Sequence, residues 1–186
     1  MFRSNTIPGQ QVFKFFLLLL IVTLATPAFA QPEPGDERAI EVPVDAKLEG
    51  FFSGDTPTSI DQIESVQQHV QTLADTVQKT VVGIGVGAAQ GSGVIISRDG
   101  YVLTAAHVSG KPGVTARLFL SDGRIVPAKT LGLNRTFDAG LMKIIAEDWE
   151  AENWPHADMG VSSDVELGQW VMAVGHPGGY QQDRNP

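Results

Sequence analysis

Hydrophobic residues recur every three or four positions over residues 58–79, which places them on one face of an α-helix. Ser59, followed three residues later by Gln62, has the spacing of a capping box and predicts the start of that helix. We therefore predict an amphipathic helix over residues 58–79 whose apolar face packs against the domain that follows; an oligomer contact is the alternative. The apolar positions are Ile60, Ile63, Val66, Val70, Leu73 and Val77.

From residue 80 onward the pattern is that of short β-strands separated by tight turns. The runs are rich in β-branched residues, and Asp99-Gly100 is a strong hairpin signal. Helices and strands do not alternate, which argues against a parallel sheet. The pattern predicts an all-β barrel or sandwich. The predicted strands are residues 81–86, 93–97, 101–104, 114–120, 124–127, 141–145 and 170–174.

The first 57 residues show neither pattern. Two basic residues precede an apolar stretch over residues 15–25, which is shorter than the roughly 20 residues that span a bilayer. Ala28-Phe29-Ala30 then has the small-residue spacing of a signal peptidase site. We predict a signal peptide over residues 1–30, with an uncleaved membrane anchor as the alternative. Residues 31–57 are polar and proline-rich, and we expect a disordered linker there.

Composition narrows the classes of function. The formal net charge is −8, and removal of the two basic residues of the signal peptide lowers it to −10. Such a charge argues against nucleic acid and anionic lipid as partners. The chain has no cysteine, which excludes disulfides, thiolate metal sites and a cysteine nucleophile. An exported protein without disulfides fits a bacterial cell envelope.

Two residues are candidates for chemistry. His107 follows a predicted strand that ends in two small residues, a place where an imidazole can face a cleft and act as a general base. Asp138 directly precedes another predicted strand and could orient that histidine, or could be a turn residue. Composition and spacing leave both interpretations open.

A resemblance adds to these observations. Residues 91–108, Gly-Ser-Gly-Val-Ile-Ile-Ser-Arg-Asp-Gly-Tyr-Val-Leu-Thr-Ala-Ala-His-Val, resemble the segment around the catalytic histidine of HtrA (DegP-like) serine proteases. Residues 138–144 resemble the family's aspartate and the strand after it, and residues 166–179 resemble the start of its second barrel. The resemblance implies a chymotrypsin-like double β-barrel, here the first barrel and the start of the second. It also implies His107 as general base and Asp138 as its orienting carboxylate.

The chain departs from the family in two places. His176 stands where the family usually has asparagine, and the family's Gly-Asn-Ser-Gly-Gly-Pro nucleophile segment does not occur among the 186 residues. Ser92 precedes the histidine, and Ser162 and Ser163 lack the glycines of an oxyanion hole, so we reject all three as nucleophiles. We therefore expect residues 80–186 to be an incomplete peptidase domain, inactive by itself.

The resemblance also implies unfolded or damaged envelope proteins as substrates, a homotrimer and a following PDZ domain. The alternative is a non-catalytic binding module on a protease-like scaffold, or the product of a decayed gene. We expect no cofactor and no metal, because no motif supports zinc ligation by His107, His156 and His176. We expect His69 at the edge of the apolar stripe, His156 in a loop, and Trp149 and Trp154 in packing roles.

Overall fold

The structure is a computed structural model that describes residues 40, 42–145, 153–181 and 186. The predicted signal peptide, residues 1–30, and Trp149 lie outside the described residues. Among the helices of the described part, none is long and apolar enough to cross a membrane.

Among the described residues, two helices precede the sheet. Helix α1, Glu49–Phe52, lies inside the predicted linker and was not predicted. Helix α2 covers Ile60–Val77, close to the predicted bounds. Its start confirms the predicted cap, because the Gln62 N–H donates to Ser59 Oγ at 3.2 Å. The Gln62 side chain accepts in return from the N–H of Thr58 at 2.9 Å, one residue earlier than the usual capping box.

The apolar stripe of α2 does not pack as predicted. Ile60 is 74% exposed, and Ile63 and Val70 are also exposed. The helix contacts α1 instead, where the rings of His69 and Phe52 lie 5.5 Å apart. The prediction that the stripe packs on the following domain is therefore wrong for these residues. A closed barrel points most of its apolar side chains inward, so it offers the stripe no large apolar surface to cover.

Six antiparallel strands close into a barrel. In spatial order they are β1-β2-β3-β6-β5-β4, and β1 pairs with β4 to complete the ring. Each of the six strands predicted between residues 81 and 145 is present; the first has the predicted bounds and the other five have shifted ends. The bounds are β1 Val81–Val86, β2 Ala89–Ile95, β3 Tyr101–Ala105, β4 Thr115–Phe119, β5 Ile125–Asn134 and β6 Ala139–Ile144. The all-β, chymotrypsin-like fold of the first barrel is thereby confirmed.

The barrel interior follows from the period of two that strands impose on their side chains. Along β6 every second residue is buried, and β5 begins with the same alternation. The buried, inward positions carry mostly apolar side chains, which together form the core. This core includes Val82, Ile84, Ile95, Val102, Ala116, Leu118, Val126, Ala128, Met142 and Ile144, and Trp154 closes one part of it.

The segment after the barrel differs from its prediction. Residues 170–174, predicted as a strand, form none in the structure. Val171 is 81% exposed, and Trp170 stacks on Phe51 of α1 at 5.4 Å between ring centroids. A β-rich run becomes a strand only where a neighbouring strand accepts its hydrogen bonds, and among the described residues none lies beside this one.

The last described residues return to the barrel. The ring of Tyr180 stacks on Phe119 of β4, with centroids 4.2 Å apart and planes 11° from parallel. It also covers Gly83 of β1, where a Cβ would stand 2.7 Å from the Tyr180 Cβ. Gly83 is therefore the residue that lets this segment lie flat on the outside of β1.

Candidate active site

The histidine is placed by the junction of a strand and a short helix. Strand β3 ends at Ala105, and helix α3, Ala106–Ser109, begins directly afterwards with His107 as its second residue. The other three residues of α3 are buried, whereas the His107 side chain is 72% exposed. The helix is thus anchored by its neighbours and presents the imidazole to solvent.

The aspartate is placed by the hairpin between β5 and β6. Asn134, the last residue of β5, accepts hydrogen bonds through Oδ1 from the N–H groups of Thr136 and Phe137 at 2.9 and 3.3 Å. Asp138 follows this turn with a φ of +50°, a left-handed conformation that aspartate tolerates better than most residues. Asn134 is not among the residues predicted for the site, although an asparagine ahead of a strand is a turn signal.

Asp138 and α3 are joined by three hydrogen bonds. The Ala106 N–H donates to the Asp138 backbone oxygen at 3.0 Å, and the His107 N–H donates to Oδ1 at 3.1 Å. The third joins His107 Nδ1 and Asp138 Oδ2 at 2.7 Å. The first N–H groups of a helix have no partner within it, and Asp138 supplies partners for two of them. The structure thus contains the predicted contact between the two side chains, with the Asp138 carboxylate at Nδ1 of His107.

The protonation state of the pair follows from this geometry. The hydrogen bond from the His107 side chain, and then that from its backbone N–H, lowers the pKa of Asp138 below its ordinary value. The carboxylate is therefore ionised at neutral pH and only accepts hydrogen bonds. Nδ1 must then carry the proton of the neutral imidazole, which leaves Nε2 unprotonated. An exposed Nε2 with a free lone pair is able to take a proton from another group.

Ser92, rejected above as a nucleophile, lies against His176. Its Oγ accepts from the His176 backbone N–H at 2.7 Å and lies 3.4 Å from His176 Nδ1. His176 is buried, and this burial lowers its pKa below the ordinary value for histidine. The pair joins the segment after the barrel to β2, and the hydroxyl already serves a backbone donor.

The remaining candidates lie apart from the pair. Ser162 and Ser163 belong to an exposed 3-10 helix, Ser162–Asp164. His156 is buried, and its Nδ1 lies 2.9 Å from the Trp154 carbonyl oxygen. Its backbone oxygen accepts a hydrogen bond from the N–H of Ile40. Trp154 has the packing role predicted for it. Within the described ranges, no three histidine or acidic side chains group as metal ligands would.

Fold and site together define a class. A closed antiparallel barrel that holds a histidine at a strand end, with an aspartate on its Nδ1, is the arrangement of the chymotrypsin-like serine peptidases. The family described as trypsin-like peptidase domain matches residues 91–184, about half of the chain. The chain belongs to this family, and its curated relatives are of the HtrA and DegP type.

Three relatives illustrate the match. The probable periplasmic serine endoprotease DegP-like of Hahella chejuensis is 38% identical over 92 residues, which are 49% of this chain and 18% of that protein. The protein of the same description from Marinomonas is 42% identical over 97 residues, 52% of this chain and 19% of that protein. Serine protease HTRA2, mitochondrial, of Drosophila willistoni is 36% identical over 96 residues, 51% of this chain and 21% of that protein. The match thus spans about a fifth of each relative.

Proposed function

We propose that this chain carries the histidine and aspartate of an exported serine endopeptidase that acts on unfolded or damaged polypeptides. One observation carries the proposal: an exposed imidazole accompanied by an ionised carboxylate at 2.7 Å from its Nδ1. In the barrel of a trypsin-like peptidase, this pair supports general-base catalysis.

In the proposed reaction, Nε2 of His107 takes the proton of a serine hydroxyl as the oxygen attacks the peptide carbonyl carbon. The imidazolium that forms lies beside the Asp138 carboxylate, which stabilises its positive charge. The same proton then passes to the leaving amine, and water hydrolyses the acyl-enzyme by the reverse route. Asp138 remains ionised throughout, because its pKa is held below the ordinary value.

We further propose that the serine is supplied by residues other than these 186, so that this polypeptide alone does not hydrolyse peptides. The triad needs a nucleophile and an oxyanion hole around the carbonyl that the base serves. Ser92 accepts a backbone hydrogen bond from His176, and Ser162 and Ser163 lie in an exposed short helix without flanking glycines. The family order along the chain, His then Asp then Ser, also favours a later serine.

Export rests on the sequence and on the relatives. The proposed signal peptide ends after Ala30, and several of the relatives are named periplasmic serine endoproteases. Sequencing the N-terminus of the exported protein tests this, and a mature protein that begins at Met1 and stays in the membrane contradicts it. Assembly as a homotrimer remains a prediction, to be checked by sedimentation of that mature protein.

The main experiment compares two samples. One is the purified 186-residue chain, and the other is the protein isolated from its own cells with any residues that follow Pro186. Each is incubated with unfolded casein and with a fluorophosphonate, which labels activated serines. The proposal predicts cleavage and labelling in the second sample only, both lost in His107→Ala and kept in the matched control His69→Ala.

The outcomes separate the alternatives. His107-dependent cleavage by the 186-residue chain would reveal a nucleophile among Ser92, Ser162, Ser163 or the other serines, and the proposal of a later serine would fail. Absence of cleavage and labelling in both samples would favour a non-catalytic binding module on a protease-like scaffold.

The substitution Asp138→Asn, introduced into the protein produced in its own cells, tests the role of the carboxylate in catalysis. The amide donates a hydrogen bond to Nδ1 and so imposes the wrong tautomer, and we expect kcat to fall on the order of 10⁴-fold. The fold is retained, because the amide oxygen still accepts from the His107 N–H. Asp122→Asn is the matched control, since Asp122 likewise accepts from a backbone N–H and a side chain, both of Arg124.

A further inference from the structure

Strand β6 places a glycine two residues after the candidate aspartate. The inward positions of β6 are Gly140, Met142 and Ile144, and the last two fill the barrel core. A Cβ at Gly140 would stand 2.6 Å from Ser109 Cβ and 2.9 Å from the Ala105 backbone oxygen. Atoms in a folded protein do not approach so closely without displacement. The volume that a side chain at position 140 would occupy is therefore taken by the end of α3.

Ser109, which occupies this volume, is not held in its buried position by a hydrogen bond from its side chain to any described residue. Ser109 is fully buried, and its Oγ has no hydrogen-bond partner among the described residues. Burial of an unpartnered hydroxyl is unfavourable, so packing must hold Ser109 in place. The close approach to Gly140 is part of that packing.

A second glycine lies under the same helix. A Cβ at Gly91 of β2 would stand 2.6 Å from Val108 Cγ2 and 3.0 Å from Cγ1. Helix α3 thus rests on two glycines, beneath the two residues that follow His107. The contacts differ in kind, because the Val108 atoms end a side chain, whereas those above Gly140 are a Cβ and backbone. Only the contact at Gly140 cannot be relieved by a side-chain rotation.

We propose that Gly140 is a positioning residue for the His107–Asp138 pair. At its N-terminal end α3 is tied to Asp138 by three hydrogen bonds, and at its C-terminal end it rests on Gly140. A side chain at position 140 presses on Ser109 at the C-terminal end of α3 and on the Ala105 backbone oxygen at its N-terminal end, and so displaces the helix from β6. The imidazole then leaves Oδ2. The inference rests on the proposed function only in that it takes His107 and Asp138 as the catalytic pair.

The test is a carbon-detected NMR titration of the Asp138 carboxyl in the full 186-residue chain. The wild type titrates below the ordinary aspartate value of about 3.9. Gly140→Ala returns the midpoint toward that value, while the Met142 methyl signal reports that the barrel stays folded. Gly132→Ala on β5 is the matched control, since a Cβ there meets nothing within 4 Å, and it leaves the midpoint unchanged.

Two further variants keep the proposal falsifiable. In the double variant Gly140→Ala/Ser109→Gly, the new Cβ no longer meets Ser109 Cβ but still meets the Ala105 oxygen. We therefore expect an Asp138 titration midpoint between that of Gly140→Ala and that of the wild type. If Gly140→Ala fails to fold, Ser109→Val serves instead, because the larger side chain crowds Gly140 from the helix side. We expect Ser109→Val to raise the Asp138 titration midpoint and Ser109→Ala to leave it unchanged.

The results distinguish this inference from the proposed function. An Asp138 midpoint that is unchanged in folded Gly140→Ala, or in Ser109→Val, overturns the role of Gly140 and leaves the His107–Asp138 pair standing. An ordinary midpoint in the wild type, unaltered by His107→Ala, overturns the pair itself.

Discussion

The barrel and the segment that follows it contain similar residues in opposite surroundings. Leu118 on β4 is completely buried, whereas Leu167 in the segment is fully exposed. Val126 on β5 is likewise buried, and Val171 is 81% exposed. Apolar content and β-propensity are therefore common to both regions and do not explain the difference.

Pairing explains it. Every barrel strand has a hydrogen-bonded neighbour on both sides, and closure leaves the sheet without an edge. Among the described residues, 170–174 have no strand beside them, and their backbone groups have water as the alternative partner. Burial of apolar side chains is thus a property of the ring and not of any single strand. The following predictions test this contrast, beginning with the largest effect.

The strongest test replaces leucine by alanine in each region. Leu118→Ala removes apolar contacts from the closed core and leaves a cavity, so we expect a loss of about 2–5 kcal/mol in the free energy of unfolding. Leu167→Ala removes an exposed side chain, and we expect a change within about 0.5 kcal/mol. Chemical denaturation measures both. Equal losses would mean that the segment is packed as the barrel is.

A second pair of substitutions sharpens the contrast within the segment itself. Tyr180 stacks on a barrel residue, Phe119, and such an aromatic pair contributes about 0.5–1.5 kcal/mol beyond its buried area. Trp170 is 63% exposed and stacks on Phe51 outside the barrel. We expect Tyr180→Ala to lower the midpoint of barrel unfolding and Trp170→Ala to leave it nearly unchanged. A larger drop in the unfolding midpoint for Trp170→Ala would mean that the contact with α1 stabilises the protein more than the contact with Phe119 does.

The smallest expected effect is a dependence on pH at His176. Because burial lowers its pKa below about 6.5, the unfolded chain binds a proton at mildly acidic pH that the folded chain does not. Stability is full above that pH and falls as the pH drops toward the folded-state pKa. In denaturation at about pH 7 and 5, His176→Asn should lose less stability than the wild type. Identical losses would show that His176 is not buried against Ser92.

Much of the barrel could be predicted from the pattern, but its details depend on neighbours. The pattern predicts a strand over residues 124–127. In the structure β5 continues to Asn134, and Pro127 serves as an acceptor for the N–H of Ile145. A period-two pattern shows which residues face inward and cannot show where a neighbouring strand stops.

The site could be predicted only through the resemblance. His107 and Asp138 are thirty-one residues apart, and their spacing allowed a turn residue as readily as a partner. What brings them together is the pairing of β3 with β6, which sets Ala105 opposite Ala139. The contact between Gly140 and Ser109 has no sequence signal, because it depends on how closely the end of a helix approaches a strand.

The most direct test of the central claim is the tautomer of His107, read from the nitrogen chemical shifts of the 186-residue chain at neutral pH. The account predicts a proton on Nδ1 and a free lone pair on Nε2, because an ionised Asp138 lies at Nδ1. Asp138→Asn should abolish that preference, and Asp122→Asn should not. A neutral imidazole that carries its proton on Nε2 in the wild type would contradict the account.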